Sequence, residues 1–168
     1  RLLPVVAHQP VIDEVEVPAG QPVMSVVIIS RDEEAIIERA VAAALAQDLD
    51  DPFEVIGVTS GSDRTADLGA ANHPEGTVIA LDRPVLPGEA RNAGWRSARG
   101  RWITFPGSHV ELRPGSLAAR LAAHRWGWPM VTETMLNGTD TRAGWASWFL
   151  DNAGLLPGRP SFAFESAP

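Results

Sequence analysis

The sequence predicts an α/β domain whose mostly parallel central sheet is flanked by helices, and three observations carry that prediction. The apolar runs Val23–Ser30 and Phe53–Val58 are short, β-branched and barely alternating, as strands buried on both faces of a parallel sheet are. Between them Ile36, Ile37, Ala40, Val41, Ala44 and Leu45 form one apolar stripe that leaves out Glu38, Arg39 and Gln47, so Ala35 to Gln47 reads as an amphipathic helix. Helical and strand patterns then keep alternating along the chain, the signature of βαβ units.

The elements follow in order. Residues 1–22 are rich in Pro and Val with acidic residues between them, and read as a linker or an added edge strand. After the first strand, Ser30 or Asp32 stands where it can cap the first helix, and Glu33 and Glu34 sit where the helix dipole favours carboxylates. The second strand stops at Thr59-Ser-Gly-Ser62. Asp63 to Asn72 is a short helix, ended by the turn His73-Pro-Glu-Gly76. Thr77 to Leu81 is a third strand, Asp82 to Gly88 a Pro-punctuated loop, and Glu89 to Arg99 a helix that closes at Gly100. Arg101 to Phe105 is a fourth strand, broken by Pro106-Gly107. Pro114-Gly-Ser-Leu117 opens a helix that runs to Arg125, with Pro near its first position. Met130 to Leu136 alternates and reads as a fifth strand. Gly144 to Asn152 is an aromatic helix carrying Trp145, Trp148 and Phe149, whose helical spacing suits packing better than a sugar platform. Residues 23–136 form the domain proper. Residues 137–168 add the aromatic helix and a tail, and a chain that opens on Arg1 without Met reads as a segment of a longer bacterial protein.

Composition narrows the function. A chain of 168 residues is one domain with room for a proper core. Its net charge of −7 argues against nucleic acid or an anionic membrane surface as main partner. All 14 basic residues are Arg, and Cys is absent, which excludes lysine Schiff bases, thiol nucleophiles and disulfides. No stretch approaches the roughly 20 apolar residues that span a bilayer. Together these place the chain in the cytoplasm, or at the inner face of the membrane through other parts of a parent protein.

In open parallel sheets ligands bind beyond the carboxyl ends of the strands. That brings Ser30–Glu34 and Thr59–Asp63 to one rim. Gly61-Ser62 is a tight turn onto a helix start, either a phosphate or ribose contact through backbone N–H groups or a plain helix cap. In Gly88-Glu-Ala-Arg-Asn-Ala-Gly94, Arg91 and Asn92 come early in a helix, and an Arg there can grip a diphosphate in forked geometry. The glycine pattern of a dinucleotide site is missing after the first strand, where Arg31-Asp-Glu-Glu34 stands instead. His8, His73, His109 and His124 show no metal-ligand spacing. Asn137-Gly-Thr139 reads as a turn.

In this order the pieces resemble the family 2 glycosyltransferases, which have the GT-A fold. The likeness runs from Met24 to His124. It rests on Val26–Glu34, on Glu54–Ser62, on Ala90-Arg-Asn-Ala-Gly94 with Ala98-Arg-Gly100, and on Ile103–Phe105 followed by Pro114–Leu117. The resemblance implies transfer of a sugar from a nucleotide-diphosphate sugar to an acceptor hydroxyl, with inversion at the anomeric carbon. It implies that Ser30, Asp32 and Glu33 line the base and ribose pocket and that Arg91 and Asn92 face ribose and diphosphate. Two motifs depart from the family. Its second strand usually ends in two aspartates, where this chain has Thr59 and Ser60. Ser60 can still hydrogen-bond a base or a hydroxyl. The family's Asp-x-Asp, which binds Mg²⁺ or Mn²⁺, is replaced by Gly107-Ser108-His109. Either His109 binds Mn²⁺ with help from Glu111, or as His⁺ it donates to the diphosphate, or it is a surface residue of an inactive site. For the base that takes the acceptor's proton, Glu133 and Asp140 are the available carboxylates, Glu133 being the candidate. The competing expectation is a catalytically inactive binding or scaffolding module that keeps the fold. The acceptor is not legible.

Overall fold

The computed structural model describes residues 17–152 apart from 63 and 134. The readings of residues 1–16 with His8, of Asp63 and of residues 153–168 lie outside these, as do the side chains of residues 68, 69 and 149–152. Four strands, β1 (Met24–Arg31), β2 (Phe53–Ser60), β3 (Thr77–Ala80) and β4 (Trp102–Thr104), form one parallel sheet in the order β3-β2-β1-β4. Between and after them come α1 (Ile37–Leu45), α2 (Thr65–Asn72), α3 (Pro87–Ser97), α4 (Ser116–Arg125) and α5 (Arg142–Asn152).

The strand order dictates where the helices lie. From β1 the chain steps outward through α1 to β2 and through α2 to β3, then reverses through α3 to β4 on the far side of β1. Right-handed crossovers in opposite directions must use opposite faces of the sheet. The core divides accordingly. Met24, Val26, Ile28 and Val55 pack against Ile37, Ala40, Val41 and Ala44 of α1 and Leu117 and Leu121 of α4. Val27, Ile56 and Val58 pack under Val85 and Ala90 on the α3 side. Because both faces of β1 are covered, Val26, Val27 and Ile28 are fully buried, which is why that strand reads as a continuous apolar run.

Gly94 sets the closeness of α3. A Cβ there would come within 2.3 Å of Val27 Cγ1 and 3.1 Å of Val58 Cγ2, so the helix lies against the sheet over β1 and β2. Two polar clasps fix the ends. At the amino ends of the strands, Glu54 accepts from the Ser25 hydroxyl at 2.7 Å, from the Arg99 backbone N–H at 2.7 Å and from the Arg99 guanidinium at 2.8 and 3.0 Å. Burial pushes the Glu54 carboxyl up, but the Ser25 hydroxyl, the Arg99 N–H and the Arg99 guanidinium together outweigh it and hold the pKa below its ordinary value. On the α1 side, the buried Gln47 amide donates to the Leu112 and Arg113 carbonyls, and its oxygen accepts from Leu117 N–H. This seats the start of α4, whose N-cap, Gly115, makes no side-chain cap bond of its own.

Three expectations are corrected. The fifth strand over Met130–Leu136 is irregular chain in the described residues. Its alternation answers local packing: Val131 lines a cavity beside β4, Met130 stays 78% exposed, and Glu133 is drawn to Arg120. β-propensity yields to context in this way. Neither Ser30 nor Asp32 caps α1; its N-cap is Ile36, without a side-chain cap bond, because Asp32 is engaged elsewhere. Glu111, proposed as helper of His109, is paired with Arg39 at 3.3 Å. The Asn137 turn is present, with Asn137 Oδ1 accepting from Thr139 N–H at 3.0 Å. Trp145 and Trp148 meet edge to face at 5.6 Å.

Candidate functional site

The reversal of strand order between β1 and β4 opens a crevice beyond their carboxyl ends, the place where open parallel sheets bind ligands. Register assembles its walls. Ser30 stands beside Thr59 and Arg31 beside Ser60. A bridge between Ile29 and Gly107 brings the Gly107–His109 loop against the end of β1. Four hydroxyls are buried near these strand ends, Ser30, Thr59, Ser60 and Ser108; by strand alternation Ser30 and Thr59 share the α1 face with Ile28, and Ser60 the α3 face with Val58. Ser30 is 6% exposed, and its Oγ has no hydrogen-bond partner among the described residues.

At the rim, the β1–α1 loop and the β2–α2 turn are stitched together. Asp32 Oδ1 accepts from Ser62 N–H at 2.8 Å, Glu34 Oε2 from Arg64 N–H at 3.2 Å, and Thr65 Oγ1 from Glu33 N–H at 3.3 Å. The backbone is shaped for these bonds. Asp32 takes a left-handed conformation, φ 52°, which Asp tolerates better than most residues. Gly61 has φ 118°, and a Cβ on it would lie 2.3 Å from Asp32 Oδ1. Asp32 and Glu34 are thus turned into the neighbouring loop, and Glu33 is half-buried beside them. The role of Glu34 and Thr65 in this seam escaped the sequence reading. The available signal was an acidic run directly after one strand, facing a Gly-Ser turn after its neighbour.

The other predicted residues fall into two groups. Ser60 lies on the face of β2 that carries Ile56 and Val58 to α3, so Ser60 and the exposed Arg91 and Asn92 of α3 share one side of the crevice. His109 is exposed on the β4–α4 loop at the opposite wall. Glu133 is apart from all of these. Both its oxygens are engaged by Arg120, at 3.0 and 3.2 Å, and Arg120 also bonds Thr104 Oγ1 on the outer side of β4. A cavity of about 210 Å³ lies there, lined by Trp102, Thr104, Arg120, His124 and Met130. His124 stacks on Trp102 at 3.9 Å, with Nδ1 at 2.7 Å from the Trp128 carbonyl. None of the rim residues lines this cavity, and its Arg120 is paired with Glu133.

Among the described residues no group of three or more His, Asp or Glu is placed to hold a metal ion. At the position of the family's metal motif the donors are one imidazole and the Ser108 hydroxyl, while Glu111 belongs to Arg39. Hard divalent cations want carboxylate oxygens, so this donor set does not fit Mn²⁺ or Mg²⁺.

The family model described as Glycosyl transferase family 2 matches residues 25–154. The chain belongs to glycosyl transferase family 2. A curated relative, the succinoglycan biosynthesis protein ExoO of Rhizobium meliloti (strain 1021), is 38% identical over 111 residues, covering 66% of this chain and 30% of ExoO. Among solved structures, S. aureus TarS 1-349 in complex with UDP matches with a TM-score of 0.57 and 22% identity, over 70% of this chain and 37% of that one. The mannosyltransferase PcManGT from Pyrobaculum calidifontis, in complex with GDP-Man and Mn²⁺, matches with a TM-score of 0.53 and 22% identity, over 73% of this chain and 38% of PcManGT. These likenesses establish the GT-A fold of this family 2 domain. The chain spans less than half the length of each of these relatives. No helix among the described residues is long and apolar enough to cross a membrane.

Proposed function

We propose that this family 2 domain binds a nucleotide-diphosphate sugar at the β1/β4 crevice and serves transfer of the sugar to an acceptor hydroxyl with inversion. What supports this reading is the crevice at the carboxyl ends of β1 and β2, where buried hydroxyls lie on both faces of the sheet, Ser30 toward α1 and Ser60 toward the α3 side to which Arg91 belongs. Uncharged hydroxyls suit the hydrogen-bonding edges of a base or ribose, and Arg91 suits the diphosphate. In the transfer, the acceptor oxygen bonds to the anomeric carbon while the bond from that carbon to the diphosphate oxygen breaks. The electron pair leaves with the nucleoside diphosphate, and the acceptor proton passes to a base. Glu133, the carboxylate the sequence offers for this role, is held by Arg120 apart from the crevice residues, so it would have to leave Arg120 and approach the crevice to serve.

A second reading is favoured by a specific observation. Carboxylates are missing at Ser60, Gly107 and His109 together, and Glu133 is clasped by Arg120, as in a domain that binds or scaffolds without catalysing. Release of nucleoside diphosphate from UDP- and GDP-sugars, followed with the whole chain, separates the two. Catalysed release supports the transferase. Donor binding without release in the presence of a range of sugar acceptors supports the inactive module.

A further inference from the structure

The family's metal motif and this chain's residues disagree, and the disagreement has a chemical consequence. A diphosphate in the crevice brings negative charge that must be met either by a cation held on carboxylates or by the protein's own cations. We propose that this crevice binds the diphosphate without a divalent ion, with the Arg91 guanidinium supplying the positive charge; the proposal rests on the nucleotide-sugar reading above.

The placement of Arg91 follows from the packing. α3 descends from the rim, so its amino end is the end nearest the ligand. Gly94 sits over Val27 and Val58. Ser60 lies two residues beyond Val58, about 7 Å nearer the rim. Arg91 lies three residues before Gly94, about 4.5 Å nearer the rim along the helix. Arg91 thus stands about 2.5 Å short of the level of Ser60 along the strands, a gap within the span of an arginine side chain, whose Cα–Cβ bond tilts toward the helix amino end. It forms no hydrogen bond or ion pair with any described residue, so its charge is not already spent on a neighbour. The nearby acids do not compete for it. Asp32 and Glu34 accept from backbone N–H groups of the facing turn, and Glu89 is paired with Arg83. The amino end of α3 adds partial positive charge on the same side.

The same logic explains why groups without negative charge are tolerable at Ser60, Gly107 and His109. Aspartates there would repel a diphosphate unless a metal intervened. Hydroxyls and an imidazole do not.

Isothermal titration of the whole chain with UDP and with GDP, in EDTA and in Mn²⁺, tests the proposal. The expected result is binding of one nucleotide with a Kd that changes less than about twofold between the two buffers. Arg91→Ala is expected to weaken that diphosphate by at least about tenfold and the matching monophosphate much less, with an unchanged unfolding temperature. An affinity that rises tenfold or more with Mn²⁺ overturns the inference and leaves the nucleotide reading standing. Metal-independent binding that Arg91→Ala leaves intact overturns the role of Arg91. No binding of either nucleotide in either buffer removes the nucleotide reading and this inference with it.

Discussion

At the amino end of β2, Glu54 accepts four hydrogen bonds from Ser25 and Arg99 while its side chain is 12% exposed. Its folded pKa is depressed, so the stability it contributes is fully present above its unfolded value of about 4.3 and is lost as pH falls from there through the lower folded value. Replacing it by Gln keeps the shape and loses the charge-assisted bonds. Glu54→Gln is expected to cost about 1–3 kcal/mol at neutral pH, and the variant should lose less stability than the parent between neutral pH and pH 3. Urea unfolding at the two pH values checks both. At this scale the sequence was partly legible. Ser25 and Glu54 sit inside apolar runs, where a polar residue signals a buried partner, but nothing in the sequence points to Arg99, 45 residues further on. The sequence makes Asp32 a candidate ligand-facing or capping group. Its left-handed backbone and its bond to Ser62 depend on how two loops meet, which no local pattern encodes.

Among the elements, α3 is the one whose position decides the proposed nucleotide site, because it carries Arg91 and Asn92 and is seated through Gly94. Gly94→Ala sets two effects against each other. Alanine favours a helix over glycine by about 1 kcal/mol. Its Cβ would meet the fully buried Val27 at 2.3 Å, and overpacking of that kind costs about 1–3 kcal/mol. The contact is with the β-branched floor of the sheet, which cannot swing aside, so packing wins. The variant is expected to lose up to about 2 kcal/mol and to weaken nucleotide binding by lifting Arg91 from the rim. Thermal unfolding and nucleotide titration of the same sample read the two effects. Helices and strands up to α4 were legible because their apolar periods are set by burial on the sheet. Met130–Leu136 was not. Its alternation resembles a strand, but beside the three-residue β4 its side chains are used instead to line a cavity and to pair with Arg120.

Over the whole molecule, topology does what no single motif could. The right-handed crossovers, reversed at β1, put α1 and α3 on opposite faces and open one crevice at the strands' carboxyl ends. Register brings Ser30 beside Thr59 and Gly107 beside Ile29 at those ends. Their order along the chain was legible and pointed to the family. Their chemistry was legible too, in that hydroxyls and an imidazole stand where carboxylates are usual. What the sequence left open was the pairing of Glu111 with Arg39 and of Glu133 with Arg120, since both bring together residues from different elements.

The central claim is that this crevice takes a nucleoside diphosphate. Thermal unfolding of the chain, alone and with UDP, GDP and their sugars at a hundredfold excess over the dissociation constant, tests it most directly. A ligand that binds only the folded state adds about 2.7 kcal/mol under these conditions, a rise of roughly 5–10 °C in Tm for a domain of this size. We expect that rise with one nucleotide and its sugars, and not with the others. A Tm unmoved by every nucleotide and nucleotide sugar, at any concentration up to the millimolar range, would contradict the account.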